Sequence, residues 1–209
     1  MKTVSRLMRV LTASLTAAAF GCSLGLVLLV LPALAAAVTP PAVPIAIQVP
    51  PGNVVFLEGH AVGTQNYICL PSSSGFTWTF FGPQATLFSD DSQQIITHFL
   101  SPNPFENTLP RPTWQHSRDT SAVWAKTIAT SSDPSFVAPG AIPWFLLQVV
   151  GAESGPTSGN KLTNTTFIQR VHTSGGVAPS TGCASSADVG TKALVPYSAD
   201  YFFWTRAED

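Results

Sequence analysis

The chain has 209 residues, with 10 Lys+Arg against 11 Asp+Glu, and charged residues make up only 10% of it. Charge this sparse excludes the basic face that nucleic-acid binding requires. The length suits one domain with a sizeable core.

Lys2, Arg6 and Arg9 form a basic leader, and no charged side chain follows until Glu58. The apolar run between them ends in Pro32 and Ala33-Leu34-Ala35. That order of parts is expected of a secretory signal peptide over residues 1–35, cleaved after Ala35 or Ala37. The mature protein is then secreted or periplasmic and keeps no membrane contact. The alternative is an uncleaved N-terminal anchor, because a span needs about 20 apolar residues. Lipidation at Cys22 fits poorly, since Phe20 is bulky and the usual Leu is missing three positions upstream. Cleavage would leave Cys69 and Cys183, and a lone pair in an oxidising compartment is expected to form a disulfide. No C-x-x-C or H-x-x-x-H spacing occurs, so neither a bound metal nor a cofactor is expected.

Residues 36–52 carry Pro40, Pro41, Pro44, Pro50 and Pro51 and read as an extended segment, with one edge strand around Ile45–Val49. Residues 53–209 read as a single β-rich domain. Strands are expected at 54–57, 61–70, 75–82, 85–88, 94–99, 121–129, 142–150, 162–171 and 197–205, because apolar residues there recur with period two. Phe76, Trp78 and Phe80 share one face, and Ala199, Tyr201 and Phe203 share another. Turn residues separate the strands, among them Ser89-Asp90-Asp91 and Pro139-Gly140. The proline-rich piece from Ser101 to Pro112 reads as a long surface loop. No capped stretch has helical period. The fold class is therefore all-β, an antiparallel sandwich or a barrel-like domain with long loops.

The blocks GTQNYIC (63–69), GPQATLF (82–88), THF (97–99), PTW (112–114), AIPWFLL (141–147), FIQRVHTSGGVAPSTGC (167–183) and VPYSADYFF (195–203) follow one another in order. Together they resemble the exported bacterial and fungal family known as domain of unknown function 3455. The resemblance implies one secreted domain and carries no established activity or catalytic residue. Fungal members are sometimes labelled malate dehydrogenase. This chain has no strand-GxGxxG-helix unit to support that label, and the glycines of SGGVAP precede Pro179 rather than a helix. Related sequences tend to have Asn where this chain has His172.

Within QRVHTSGG, alternation sets Phe167, Gln169 and Val171 on one face and Ile168, Arg170 and His172 on the other. Gly175-Gly176 permits a positive-φ turn. The favoured reading has Arg170 bracing a loop or pairing with an acid such as Asp200. The alternative has Gln169 and Arg170 lining a pocket for an anionic or sugar ligand. His98, His116 and Asp119, if the fold gathers them, could ligate a metal or move a proton. A serine hydrolase is disfavoured, because G-x-S-x-G is absent and Ser121 has no identifiable base. Paired-carboxylate chemistry is disfavoured too, since most of the eleven acids fall in expected turns. Five tryptophans, Trp78, Trp114, Trp124, Trp144 and Trp204, remain as core or as stacking surfaces. The leading expectation is a non-catalytic binding module for carbohydrate or another small polar ligand, with Gln169, Arg170, Trp114 and His98 as its candidate contacts. The competing classes are a secreted enzyme using His98, His116 and Asp119 or Arg170, and a structural envelope protein.

Overall fold

A computed structural model describes residues 38–208. The expected leader over residues 1–35, its cleavage points and Cys22 lie outside them. Eight strands follow in order: β1 (Asn53–Ser72), β2 (Gly75–Phe88), β3 (Gln94–Asn103), β4 (Leu109–His116), β5 (Ala122–Ser131), β6 (Trp144–Glu153), β7 (Thr165–Gly175) and β8 (Lys192–Arg206). Each pairs antiparallel with the next, and β8 returns to β1, which closes a barrel. Closure, rather than two stacked sheets, removes the open edges.

Two expected breaks do not occur. Glu58-Gly59-His60 interrupts the alternation of β1, yet its pairing with β8 continues through Gly59↔Tyr201 and His60↔Asp200. Gly82-Pro83 does not end β2. The chain absorbs Phe81 as an extra residue, so that Asn66 faces Gly82 and Tyr67 faces Phe80.

Residues 101–112 are a hairpin and not a loop. β3 and β4 stay paired out to Asn103↔Leu109 around a 3-10 turn, Pro104–Glu106. β2 leaves β3 after Phe99, and β5 meets β4 only from Thr113, so this stretch is two-stranded. Prolines fit there because a missing N–H on an outer edge breaks no ladder bond. The tip is held by Asn103, which accepts from Phe105 N at 3.0 Å, and by Arg111, which donates to both Glu106 oxygens at 2.8 and 2.9 Å.

The extended segment also departs from expectation. Ile45–Ile47 is a 3-10 turn rather than an edge strand. It covers the outer face of β6, β7 and β8, where Ile47 packs among Trp144, Leu146, Val171, Phe202 and Trp204. This outer cluster explains why β7 and β8 are apolar on both faces.

Inside, alternate residues stack in layers. Leu87, Ile96, Val123, Ala125, Leu162, Ile168 and Phe203 are fully buried and plug one end. Each large side chain of this plug contributes about 1.5–3 kcal/mol. Two residues further along the strands, the inward side chains change character. Ile96 gives way to His98, Ile168 to Arg170, and Phe203 to Tyr201.

Cys69 and Cys183 are joined in a disulfide, with Cα atoms 5.5 Å apart. The bond ties the end of β1 to the connection between β7 and β8. Cys69 also exchanges backbone bonds with Thr191 and Gly190, and Trp78 Nε1 donates to Thr181 O at 2.9 Å.

Candidate functional site: a cavity in the barrel

The layer above the plug does not fill the barrel. A cavity of about 380 Å³ remains, and all eight strands contribute to its wall. Phe80 and Thr127 are exposed, so the cavity meets solvent on their side, while His98, Trp114, Leu147, Arg170 and Tyr201 form its buried part. An eight-stranded barrel has an interior of about the width that side chains or one small ligand can occupy.

β7 delivers Arg170. Its partner on β8 is Tyr201, another inward residue, whereas Asp200 lies opposite Val171 and faces out. The expected Arg170–Asp200 pair therefore does not form. Among the described residues no carboxylate lies within ion-pair distance of Arg170. Arg170 is 7% exposed as a residue, and its guanidinium donates from Nη2 to Pro143 O at 2.8 Å and lies 4.0 Å from the centre of the Phe145 ring. Its Nε–H has no partner in the protein.

Three other buried donors share that condition, one of which, Trp144 Nε1, belongs to the outer cluster. Gln65 on β1 and Trp114 on β4 line the same cavity, and Gln65 Nε2 and Trp114 Nε1 have no partner at hydrogen-bond geometry, the Tyr197 hydroxyl lying near Gln65. Buried polar atoms are paired in the great majority of cases, so three orphans on side chains of one cavity wall form a pattern. All three are donors. The rest of the wall is largely apolar or aromatic, including Phe145, Leu147, Ile142 and Pro83.

His98 stacks on Trp114, with ring centroids 4.2 Å apart and planes at 12°. Burial drives its pKa down to about 3, and the nearby Arg170 charge pushes the same way. The ring is therefore neutral at physiological pH. Its Nδ1 lies 2.9 Å from Thr113 O. A carbonyl can only accept, so Nδ1 carries the proton and Nε2 is left as an acceptor. Tyr67 extends the wall outward, and its hydroxyl donates to Gly176 O at 2.7 Å. Gly176 has φ +82°, and a Cβ there would come within 3.0 Å of both Gln65 and Tyr197. The Gly175-Gly176 turn thus lets the β7–β8 connection close against the cavity wall.

The remaining candidates go elsewhere. Gln169 is on the outer face, not beside Arg170. It donates to Ile47 O at 2.7 Å and accepts from Trp204 Nε1 at 3.0 Å, which latches the extended segment to the barrel. His172 leaves the face of Arg170 because β7 bulges between Val171 and Ser174. It sits at φ 49°, a left-handed conformation that Asn adopts more readily than most residues. Asn at this position would therefore suit the backbone.

His98, His116 and Asp119 are not gathered into one group. His116 pairs with Asp119 at 3.0 Å in the β4–β5 turn, outside the cavity. Burial opposes ionisation of Asp119, but hydrogen bonds from Lys161 N, Ser121 Oγ and Ser121 N hold its pKa at about 2. Ser121 is fully buried and serves this turn.

A second polar cluster lies outside the barrel. Asp200 meets His60 Nδ1 at 2.7 Å and His172 Nδ1 at 2.8 Å, and His60 Nε2 meets Asp90 at 2.8 Å. Glu58, His60 and Asp200 are the group of three among the described residues whose atoms lie close enough to share a metal ion. The ionic network already satisfies both His60 nitrogens. Hydrogen bonds to Asp90 and then Asp200 raise the pKa of His60.

Sequence reasoning did not single out Gln65, Phe145 or Tyr201 for the site. The available signal was Gln65 itself, a polar residue two positions from Tyr67 in a strand whose inward face is otherwise small or aromatic. No curated protein and no solved structure matches the chain. The family model described as protein of unknown function (DUF3455) matches residues 50–205, and the chain belongs to that family.

Proposed function

We propose that this protein is an exported, non-catalytic binding module that takes one small ligand into the barrel cavity. The observation that carries the reading is that three side chains lining one cavity, from β1, β4 and β7, each hold a buried donor without a partner. Keeping such groups unpaired costs about 1–3 kcal/mol each. Functional sites are where proteins carry that cost.

Binding is favoured over catalysis by what the wall lacks. Its residues include no carboxylate, no cysteine and no serine, and its imidazole is neutral with Nδ1 committed to a backbone carbonyl. An interior site is favoured over a sugar-stacking surface because Trp114, Trp124, Trp144 and Trp204 are all buried. Trp78 is half-buried, and its Nε1 is used by Thr181. The disulfide supports an extracytoplasmic setting. Among the described residues no helix is long and apolar enough to cross a membrane.

The test is a ligand screen by protein-observed NMR, run in parallel on the native chain and on Thr127→Trp. That substitution places a large ring where the cavity meets solvent. Hits that perturb Trp114 Nε1–H in the native protein and vanish in the variant are expected. A screen whose hits all persist in Thr127→Trp would show that binding occurs elsewhere.

A further inference from the structure

We propose that the ligand is a small organic acid with a flat or branched apolar body, whose carboxylate is received by Arg170. The inference rests on the binding reading above and adds the chemical class of the ligand. Arg170 is a positive charge in a mostly apolar enclosure, without an acidic partner among the described residues. A buried charge of this kind is expensive unless a counter-charge reaches it.

The guanidinium keeps donor capacity for a counter-charge. Phe145 covers one face of the guanidinium, and Nη2 is turned to Pro143 O. The Nε–H is left unpartnered. A guanidinium has five N–H donors in a planar fork that matches a carboxylate. Gln65 and Trp114 in the same wall hold two further unpaired neutral donors.

Competing ligand classes fit less well. A neutral sugar would leave the Arg170 charge without a counter-charge, and the wall carries no carboxylate to receive its hydroxyls. Inorganic phosphate would meet Arg170 but leave Phe145, Ile142 and Leu147 facing no apolar partner. A compact organic acid meets both requirements, with its carboxylate at Arg170 and its body against the rings and aliphatic side chains. Neutral His98 adds no second positive charge, which favours a monoanion over a dianion.

The experiment measures affinities of the full mature chain by calorimetry and by Trp fluorescence at neutral pH. The probes are benzoate, cyclohexanecarboxylate, benzamide, benzyl alcohol, glucose and inorganic phosphate, against the native protein, Arg170→Met and Thr127→Trp. The acids are expected to bind at least about tenfold more tightly than their neutral analogues, the ratio expected for one charge-assisted hydrogen bond. Arg170→Met should erase that preference, leaving acid and amide alike, while Thr127→Trp should weaken every probe. Equal binding of benzoate and benzamide to the native protein, or an acid preference that survives in Arg170→Met, would overturn the carboxylate assignment and leave the cavity reading standing. Tighter binding of glucose or phosphate would do the same. If no probe binds in a way that Thr127→Trp abolishes, the binding reading itself falls, and the assignment with it.

Discussion

Arg170→Met separates a brace from a binding group by stability alone. Methionine keeps the unbranched apolar stem and removes the charge. The loss includes one charge-assisted hydrogen bond to Pro143 O at 2.8 Å, worth about 1.5–3 kcal/mol. It also includes the stacking of the guanidinium on Phe145 at 4.0 Å, worth about 2 kcal/mol in a desolvated place. Against these stands relief from holding an unpaired charge at 7% exposure with Nε unsatisfied, a penalty of several kcal/mol. The opposing terms are of similar size. The ligand-free variant is therefore expected to unfold in urea within about 1 kcal/mol of the native protein, or later, with an unchanged slope. Arg170→Ala would confuse the matter by also deleting the stem. A loss of about 3–5 kcal/mol in Arg170→Met is the signature of a broken buried ion pair. It would refute the reasoning, because it would mean that Arg170 is architectural after all.

Three further outcomes follow from the same structure. Replacing Cys69 and Cys183 by Ser opens a loop with a sequence separation of 114, which should lower stability by up to about 5 kcal/mol on chain-entropy grounds; a loss under about 1 kcal/mol in chemical denaturation would contradict this. Burial lowers the His98 pKa from 6.5 to about 3, so the unfolded chain binds a proton there that the folded one refuses; stability should fall as pH drops from 6.5 towards 3, by at most about 5 kcal/mol from this group, and His98→Gln should flatten that limb of the urea-midpoint profile. His172→Asn should keep or slightly raise the melting temperature, since Asn suits φ 49° and Asp200 retains His60; a drop of many degrees would show that the His172–Asp200 contact outweighs the backbone strain.

The strands were legible because each has one face in the barrel, and that imposes period two on Phe203, Tyr201 and Ala199 or on Ile96 and His98. Closure was not legible. A sandwich and a barrel produce the same alternation, and the deciding contact is β1 with β8, where His60 and Asp200 meet across 140 residues. Prolines misled at residues 101–112, where they mark the free edges of a two-stranded hairpin rather than a loop. Cys69 and Cys183 were readable because the mature chain would hold only that pair.

The site was half legible for a reason visible in two adjacent residues. Alternation correctly sets Gln169 and Arg170 on opposite faces of β7, but it does not say which face is inside. That choice is usually read from polarity, the apolar side going in. Here the rule has no purchase, because the extended segment buries the outer face as well and Gln169 is 1% exposed there. Both faces therefore look like core with one polar residue each. What distinguishes them is partnership. Gln169 has an acceptor in Ile47 O and a donor in Trp204 Nε1, while Arg170 Nε has none. Composition and spacing count polar residues; only the fold shows which of them is left unpaired. In this barrel the buried unpaired groups of the cavity wall include the charge of Arg170, and a buried cation without an acid calls for an acceptor brought from outside.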